Sequence, residues 1–171
     1  GSVVYANTQY RASPEFFVNP QWAGINDWSA ALGPHYDTAE KMLGVQMVPH
    51  DSDGQKLLRE VGRHFGVEDT FHRTPVGVFF GKPGATVPDP YFGGEGPERS
   101  GCTRCGACMV GCREGAKNTL VKNYLWFAEK RGVEILPERE VVDIRPIGAE
   151  DGADGYTVTT ERPGAWLRKQ R

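Results

Sequence analysis

Residues 101–120 read GCTRCGACMVGCREGAKNTL and contain all four cysteines of this 171-residue chain. The cysteines follow the spacing C-x2-C-x2-C-x3-C, at Cys102, Cys105, Cys108 and Cys112. This is the spacing of bacterial ferredoxin runs, whose thiolates bind iron–sulfur clusters. Small residues between the thiols allow the backbone to bend so that several sulfurs face one point. The run therefore predicts a loop that holds a metal ion or a cluster.

Three chemistries remain open for this run. The first is a [4Fe–4S] cluster, although Arg113 stands where the ferredoxin run has proline. In two-cluster ferredoxins the fourth cysteine ligates the other cluster. Because this chain has no second run, either Cys112 bends back or the fourth ligand comes from outside the chain. The second chemistry is zinc held tetrahedrally by four thiolates. The third is disulfides or free thiols, and bridges between such closely spaced cysteines are strained.

Composition and charge exclude several broad classes of protein. The formal net charge of −2 provides no basic field for nucleic acid. No apolar stretch approaches the roughly 18 residues that span a bilayer. We therefore expect neither a nucleic-acid partner nor a transmembrane segment. Because no signal peptide is recognisable, we expect a cytoplasmic protein. The 22 glycines and 12 prolines predict many turns.

Hydrophobic periodicity and turn residues predict an α+β fold. Asp27 can cap a short helical turn that Gly33 and Pro34 interrupt, and Gly44 can close the helix that follows. The other predicted segments are a helix over residues 52–66, a strand over 76–80, a Gly/Pro-rich loop over 81–101, a helix over 118–131, a strand over 133–136, and antiparallel strands over 140–147 and 156–161 joined by a turn at 148–155. Asn118 or Thr119 can cap the 118–131 helix, and its predicted buried face consists of Leu120, Val121, Tyr124, Leu125 and Ala128.

Four segments, in their order and spacing, resemble those of one enzyme family. Residues 1–7 (GSVVYAN) are similar to a flavin-contacting Gly-Gly-Ser segment, and residues 28–45 to the helix that follows it. Residues 117–125 (KNTLVKNYL) resemble the helix before the next strands. Residues 133–136 and 141–145 are similar to the strand pair that reaches the adenine end of FAD. Together they resemble the glucose–methanol–choline (GMC) oxidoreductases, and within them the cholesterol-oxidase-like branch.

The resemblance implies an activity and a division of the chain. The activity is FAD-dependent oxidation of a small hydrophobic alcohol, such as a sterol, to a ketone or an aldehyde. FAD would take the hydride, and dioxygen or a redox partner would accept the electrons. The division is a flavin-contacting segment at residues 1–30, a helical and loop-rich portion with the cysteine run at 31–132, and strands of the FAD domain at 133–171.

The resemblance also implies which residues contact FAD: Gly1, Ser2, Tyr5, Asn7 and Val141. Gly1 and Ser2 would face the pyrophosphate or the flavin edge, since glycine admits a close approach to the main chain. Tyr5 and Asn7 would stand beside the isoalloxazine, where an amide donor stabilises the reduced flavin. Val141 would bond adenine through its backbone.

Two features of the family are missing from this sequence. No G-x-G-x-x-G motif opens a βαβ unit. No segment matches the one that carries the family's catalytic histidine, and the histidines present lie in the wrong region, so no catalytic residue is assigned. The sequence is therefore interpreted as an internal part of a longer enzyme. Two other functions stay open: a ferredoxin-like electron-transfer protein and a zinc-stapled interaction module.

Overall fold

The structure, a computed structural model, describes residues 6–164. They belong to two compact units that divide between Arg131 and Gly132. Helices and small antiparallel sheets occur together, so the predicted α+β class is confirmed at that level. A helix with the length and hydropathy of a membrane span does not occur in the part of the chain that the structure describes.

The first unit contains four α-helices and two short strand pairs among its described residues. The helices are α1 (Pro14–Phe17), α2 (Trp28–Leu43), α3 (Asp53–His64) and α4 (Tyr124–Lys130). The strands are β1 (Gln46–Met47), which pairs with β2 (Pro75–Val76), and β3 (Thr86–Val87), which pairs with β4 (Arg99–Ser100). Single 3-10 turns cover Glu68–Thr70, Ala107–Met109 and Leu120–Lys122. Most of the remaining backbone is turn and loop, as the glycine and proline content predicts.

Helix α2 confirms its predicted ends but not the predicted interruption. Asp27 accepts a hydrogen bond from the Ala30 N–H at 3.0 Å, and Gly44 closes the helix with φ 57°. The predicted break at Gly33 and Pro34 is wrong, because Pro34 lies inside one continuous 16-residue helix. Pro34 lacks an N–H and therefore removes only one of the backbone hydrogen bonds of the helix. The caps at Asp27 and Gly44 satisfy free backbone groups at the two helix ends, so the helix continues through the proline.

Helix α3 begins where the sequence predicts. Ser52 and Gln55 form a reciprocal capping box, in which each side chain accepts from the other residue's backbone N–H. The helix is amphipathic, yet its apolar side chains are not covered within this unit. Leu57 is 61% exposed and Phe65 72% exposed. Capping and not burial therefore accounts for the start of α3.

The predicted helix over 118–131 is wrong in its first turns. Asn118 does not cap the helix, because its side-chain oxygen, the atom that a cap would use, accepts from the Arg99 Nε–H at 2.7 Å, and Thr119 makes no side-chain capping bond. A 3-10 turn intervenes, and α4 begins only after Asn123, whose side-chain oxygen accepts from the Tyr124 N–H at 2.7 Å. The predicted buried face is also wrong for Leu120, Val121 and Tyr124, which are exposed.

The core of the first unit consists of Val76, Val78 and Ala116. The predicted strand over 76–80 is shorter than expected: β2 ends at Val76, and a single antiparallel bridge joins Val78 to Lys117. The Phe79 N–H donates to Ala116 O at 2.9 Å and so holds the two segments together. Because the 116–118 segment directly follows the cysteine run, this core anchors the C-terminal side of the run.

The second unit is built on one hairpin among its described residues. Strands β5 (Glu140–Pro146) and β6 (Tyr156–Glu161) pair antiparallel, with an irregularity between Val141 and Asp143, so this predicted pair is confirmed. The predicted strand over 133–136 is wrong, since those residues form no strand. Val133 and Leu136 are exposed and find no pairing partner among the described residues of the unit.

Candidate functional site

The four cysteines lie around one concavity of the first unit. Its wall is formed by Cys102, Cys105, Cys108 and Cys112 together with Val78, Ala116 and Lys117 at the base and Thr103, Gly106, Ala107 and Glu114 at the rim. The empty volume is about 310 Å³ including the open mouth. We call this concavity the cysteine cavity. It brings together all four residues that the sequence predicts as metal ligands.

Local backbone geometry turns the cysteine loop inward. Gly106 and Gly111 adopt positive φ, at 72° and 104°, and each lies between two cysteines. Arg104 also adopts a positive φ of 63°, which is uncommon for a residue with a side chain. The loop therefore reverses direction repeatedly within eleven residues, which is the local reason why its thiols share one cavity.

Both ends of the loop are anchored to the core. The Cys102 N–H donates to Phe79 O at 3.0 Å, and Cys102 and Cys112 pack against the Val76–Val78–Ala116 cluster. Gly101, just before the run, is buried against the backbone of residues 81–82, and its N–H donates to Ala85 O at 3.0 Å. Cys105, in the middle of the loop, is exposed. The cavity thus has a rigid floor and an open rim.

Two amide groups donate hydrogen bonds to cysteine sulfurs. The Arg104 backbone N–H donates to Cys102 Sγ at 3.3 Å. The Asn7 side-chain amide donates to Cys108 Sγ, also at 3.3 Å, across 101 positions of sequence. N–H···S bonds of this kind stabilise negative charge on sulfur, and in cluster proteins they tune the reduction potential.

The buried cation Lys117 borders the cavity. Its ammonium donates to Cys108 O at 3.3 Å, and its side chain is almost fully buried. Burial lowers the pKa of Lys117, and burial also raises the pKa of the Cys108 thiol, against the smaller opposing effect of the Asn7 hydrogen bond.

The sulfurs are neither bonded to one another nor gathered around a point. All four cysteines are free thiols. Within residues 6–164, no three His, Cys, Asp or Glu side chains are close enough to hold a single metal ion. A tetrahedral zinc–thiolate site, with Zn–S bonds of about 2.3 Å, requires its sulfurs only about 3.8 Å apart. The thiols surround a space and do not form a preassembled mononuclear site.

The predicted FAD contacts are placed only in part. Gly1, Ser2 and Tyr5 lie outside the described residues. Asn7 lies at the cysteine cavity, where its carbonyl accepts from the Gly77 N–H at 2.8 Å. Val141 lies on β5 in the second unit, opposite Thr160. The sequence did not predict the contact between Asn7 and Cys108, since nothing in either segment marks a pairing over that distance.

Sequence reasoning also missed a buried polar cluster that joins the segments on either side of the cysteine run. Arg99, which is 1% exposed, donates to Asn118 Oδ1 at 2.7 Å, and the Asn118 amide donates to Gly44 O at 3.3 Å. This cluster links the strand before the cysteines to the segment after them and to the end of α2. An arginine in a Gly/Pro-rich loop carries no sequence signal of burial, because arginine is usually exposed.

Comparison with known proteins finds relatives that match the whole length of the chain. No protein-family model and no solved structure matches the chain. The chain is 50% identical to cholesterol oxidases from two strains of Mycobacterium tuberculosis (CDC 1551 / Oshkosh and H37Rv), over 177 aligned positions that cover 100% of the chain and 30% of each relative. It is 46% identical to a cholesterol oxidase from Acinetobacter baumannii, with 100% of the chain and 32% of that relative covered.

The chain therefore spans about a third of the length of the curated relatives that it matches. Similarity at this level is not confined to the cysteine run, because the alignment covers all of the chain. It agrees with the resemblance seen in the order of the sequence segments. The chain matches about a third of the length of proteins named cholesterol oxidase, which agrees with its resemblance to the cholesterol-oxidase-like branch of the glucose–methanol–choline oxidoreductases.

Proposed function

We propose that the protein is an FAD-dependent oxidoreductase that acts on the CH–OH group of a hydrophobic alcohol, with a sterol as the preferred class of substrate. The product is the corresponding ketone or aldehyde, and dioxygen or a redox partner accepts the electrons. The observation that carries this proposal is the match of 46–50% identity, along the entire chain, to proteins named cholesterol oxidase.

FAD supplies the hydride-accepting chemistry when it is bound. Gly1, Ser2 and Tyr5 are proposed to contact it, with Asn7 donating to the reduced ring. The Asn7 backbone is held by its bond from Gly77 and its side-chain amide donates one N–H to Cys108 Sγ, so the second amide N–H is the donor proposed for the ring. A donor held in this way costs no reorganisation when charge develops nearby. No residue of this chain is proposed as the catalytic base.

The adenine contact is proposed for the backbone of Val141. Strand β5 pairs with β6 on one side, and no other described strand pairs with its second edge. An unpaired strand edge offers N–H and C=O groups in the orientation that a nucleotide base can bond. The second unit fits the adenine end of FAD to that extent, and we propose residues 133–171 as part of the FAD domain.

The cysteine cavity is proposed as a second cofactor site of the same protein, for a metal-containing group held by thiolates. The two other functions open from the sequence are less well supported. A ferredoxin-like carrier accounts for the cysteine run and for little else of a chain that matches oxidases throughout. A zinc-stapled module requires sulfurs gathered around one ion, which the described residues do not provide.

The test is anaerobic reduction of the purified protein by cholesterol. Bound oxidised flavin gives a visible absorption band, and oxidation of the alcohol should bleach it while the ketone forms. Asn7→Asp places a carboxylate where an amide donor stabilises the reduced ring, so it should slow the bleaching. Asn26→Asp, at an exposed position away from the cavity, is the matched control and should not. Absence of flavin, or flavin that neither cholesterol nor a long-chain alcohol reduces, would overturn the proposed function.

A further inference from the structure

We propose that the cysteine cavity binds one [4Fe–4S] cluster and that all four consecutive cysteines, Cys112 included, are its ligands. This inference rests on the proposed function, in which the cysteine cavity is a second cofactor site, and it identifies the cofactor. The sequence alone left two sources for the fourth ligand, either Cys112 or a group outside the chain. The structure favours the first, because Cys112 lines the same cavity as the other three cysteines and packs against the core.

The side chains that line the cavity restrict which metals it can bind. The side chains that line the cavity include four thiols and no histidine. Soft thiolate sets of this kind select zinc, copper(I) or iron–sulfur clusters. The spacing of the first three cysteines is that of cluster-binding runs. The fourth follows after three residues and, unlike its counterpart in two-cluster ferredoxins, faces the same space as the first three.

The placement of the four cysteines around one concavity, with no group of three gathered for a single ion among the described residues, favours a cluster. A mononuclear zinc site needs all its sulfurs within about 3.8 Å of one another, and the described residues contain no such group. In a cubane cluster each thiolate binds a different iron, so the sulfurs stand farther apart around a central body. Four thiols in the wall of one open concavity suit that arrangement.

Hydrogen bonding and charge at the cavity suit a cluster with net negative charge. Arg104 N–H and the Asn7 amide already donate to two of the four sulfurs. The positive φ of Arg104 is a strained conformation, and it accompanies the N–H···S bond to Cys102. Lys117 places a buried cation beside Cys108. Thiolate ligands outweigh the positive charge of the cluster core, so a neighbouring cation offsets the cost of burying the assembly.

The decisive experiment measures metal content and not alcohol oxidation. Protein purified without oxygen should contain about four iron and four sulfide per chain, and reduction with dithionite should produce the electron paramagnetic resonance signal of a reduced cubane cluster. Zinc in place of iron, or no metal at all under these conditions, would overturn the proposal. Flavin content is measured on the same sample, so loss of the cluster with flavin retained refutes this inference alone.

Variants test the role of Cys112 separately. Cys112→Ser should lower the iron content to three per cluster or abolish the cluster, while circular dichroism shows that the protein remains folded. Met109→Ser, an exposed position in the same loop that does not line the cavity, is the matched control and should retain the full cluster. A Cys112→Ser protein with unchanged iron, sulfide and spectrum would show that the fourth ligand comes from elsewhere.

Discussion

Replacing Arg99 by lysine is expected to destabilise the first unit strongly, although the charge is conserved. The guanidinium is 1% exposed and uses all three of its nitrogens. Its acceptors are Asn118 Oδ1 at 2.7 Å, Pro97 O at 2.6 Å, Glu98 O at 3.2 Å and Lys122 O at 2.5 Å. The ring of Tyr91 lies 5.5 Å from the guanidinium carbon. A lysine ammonium is a single point donor and cannot reach acceptors arranged around a planar fork.

The magnitude follows from the acceptors that lose their donor. We expect Arg99→Lys to leave at least two of them without a partner, and each abandoned buried acceptor costs about 1–3 kcal/mol. The carbonyls of Pro97 and Glu98 lie in a loop that water can reach, which places the expected loss of unfolding free energy at about 2–4 kcal/mol. That is a large part of the total stability of a domain, about 5–15 kcal/mol.

Urea unfolding, followed by tryptophan fluorescence and circular dichroism, measures this loss. Arg139→Lys, at an exposed position with no hydrogen bond from its side chain described, is the control and should change the unfolding free energy by less than about 0.5 kcal/mol. If Arg99→Lys unfolds at the same urea concentration as the unsubstituted protein, the buried arginine cluster does not hold the segments around the cysteine loop together.

Three further predictions use the same urea assay. Gly101→Ala should lower the unfolding free energy by about 1–3 kcal/mol, because the new methyl would collide with the Lys82 carbonyl. Gly62→Ala, in α3 where a methyl has ordinary space, should raise it by about 1 kcal/mol. Equal effects of the two substitutions would contradict this reasoning. Burial raises the pKa of Asp89, but four backbone N–H donors together hold it below its ordinary value, so its stabilisation should be full above about pH 4 and be lost as the pH falls through the lower folded pKa. Asp89→Asn should remove that acid-dependent part, and an unchanged pH profile would refute its origin. Ser52→Ala should cost about 1 kcal/mol through the lost capping box, and a neutral result would show that α3 does not depend on it.

Local signals in the sequence predicted local structure well. The Asp27 cap, the start of α3 after Ser52 and the Gly44 terminus all depend on contacts between residues no more than five positions apart. The β5–β6 hairpin likewise joins neighbours through a glycine-rich turn. Residue type and spacing are enough to predict such short-range interactions, since they can form before the tertiary structure is complete.

Predictions failed where distant segments compete for the same group. Asn118 is a residue type that often caps helices. Its side chain instead bonds to Arg99 and Gly44 in the core, and α4 therefore starts later. The strand predicted over 133–136 had suitable residues but no partner within its unit. Propensity describes what a segment can do alone, and pairing or burial by another segment overrides it.

The sequence by itself determined the number and spacing of the four cysteines and the resemblance to a flavin-dependent oxidoreductase family. These follow from residue identity, spacing and order along the chain. Only the tertiary structure decided that Cys112 lines the same cavity as the other thiols, that Asn7 reaches Cys108, and that Arg99 is buried. The reason is physical: a thiol's chemistry belongs to its residue, but the direction it faces depends on where the packed core places both ends of its loop.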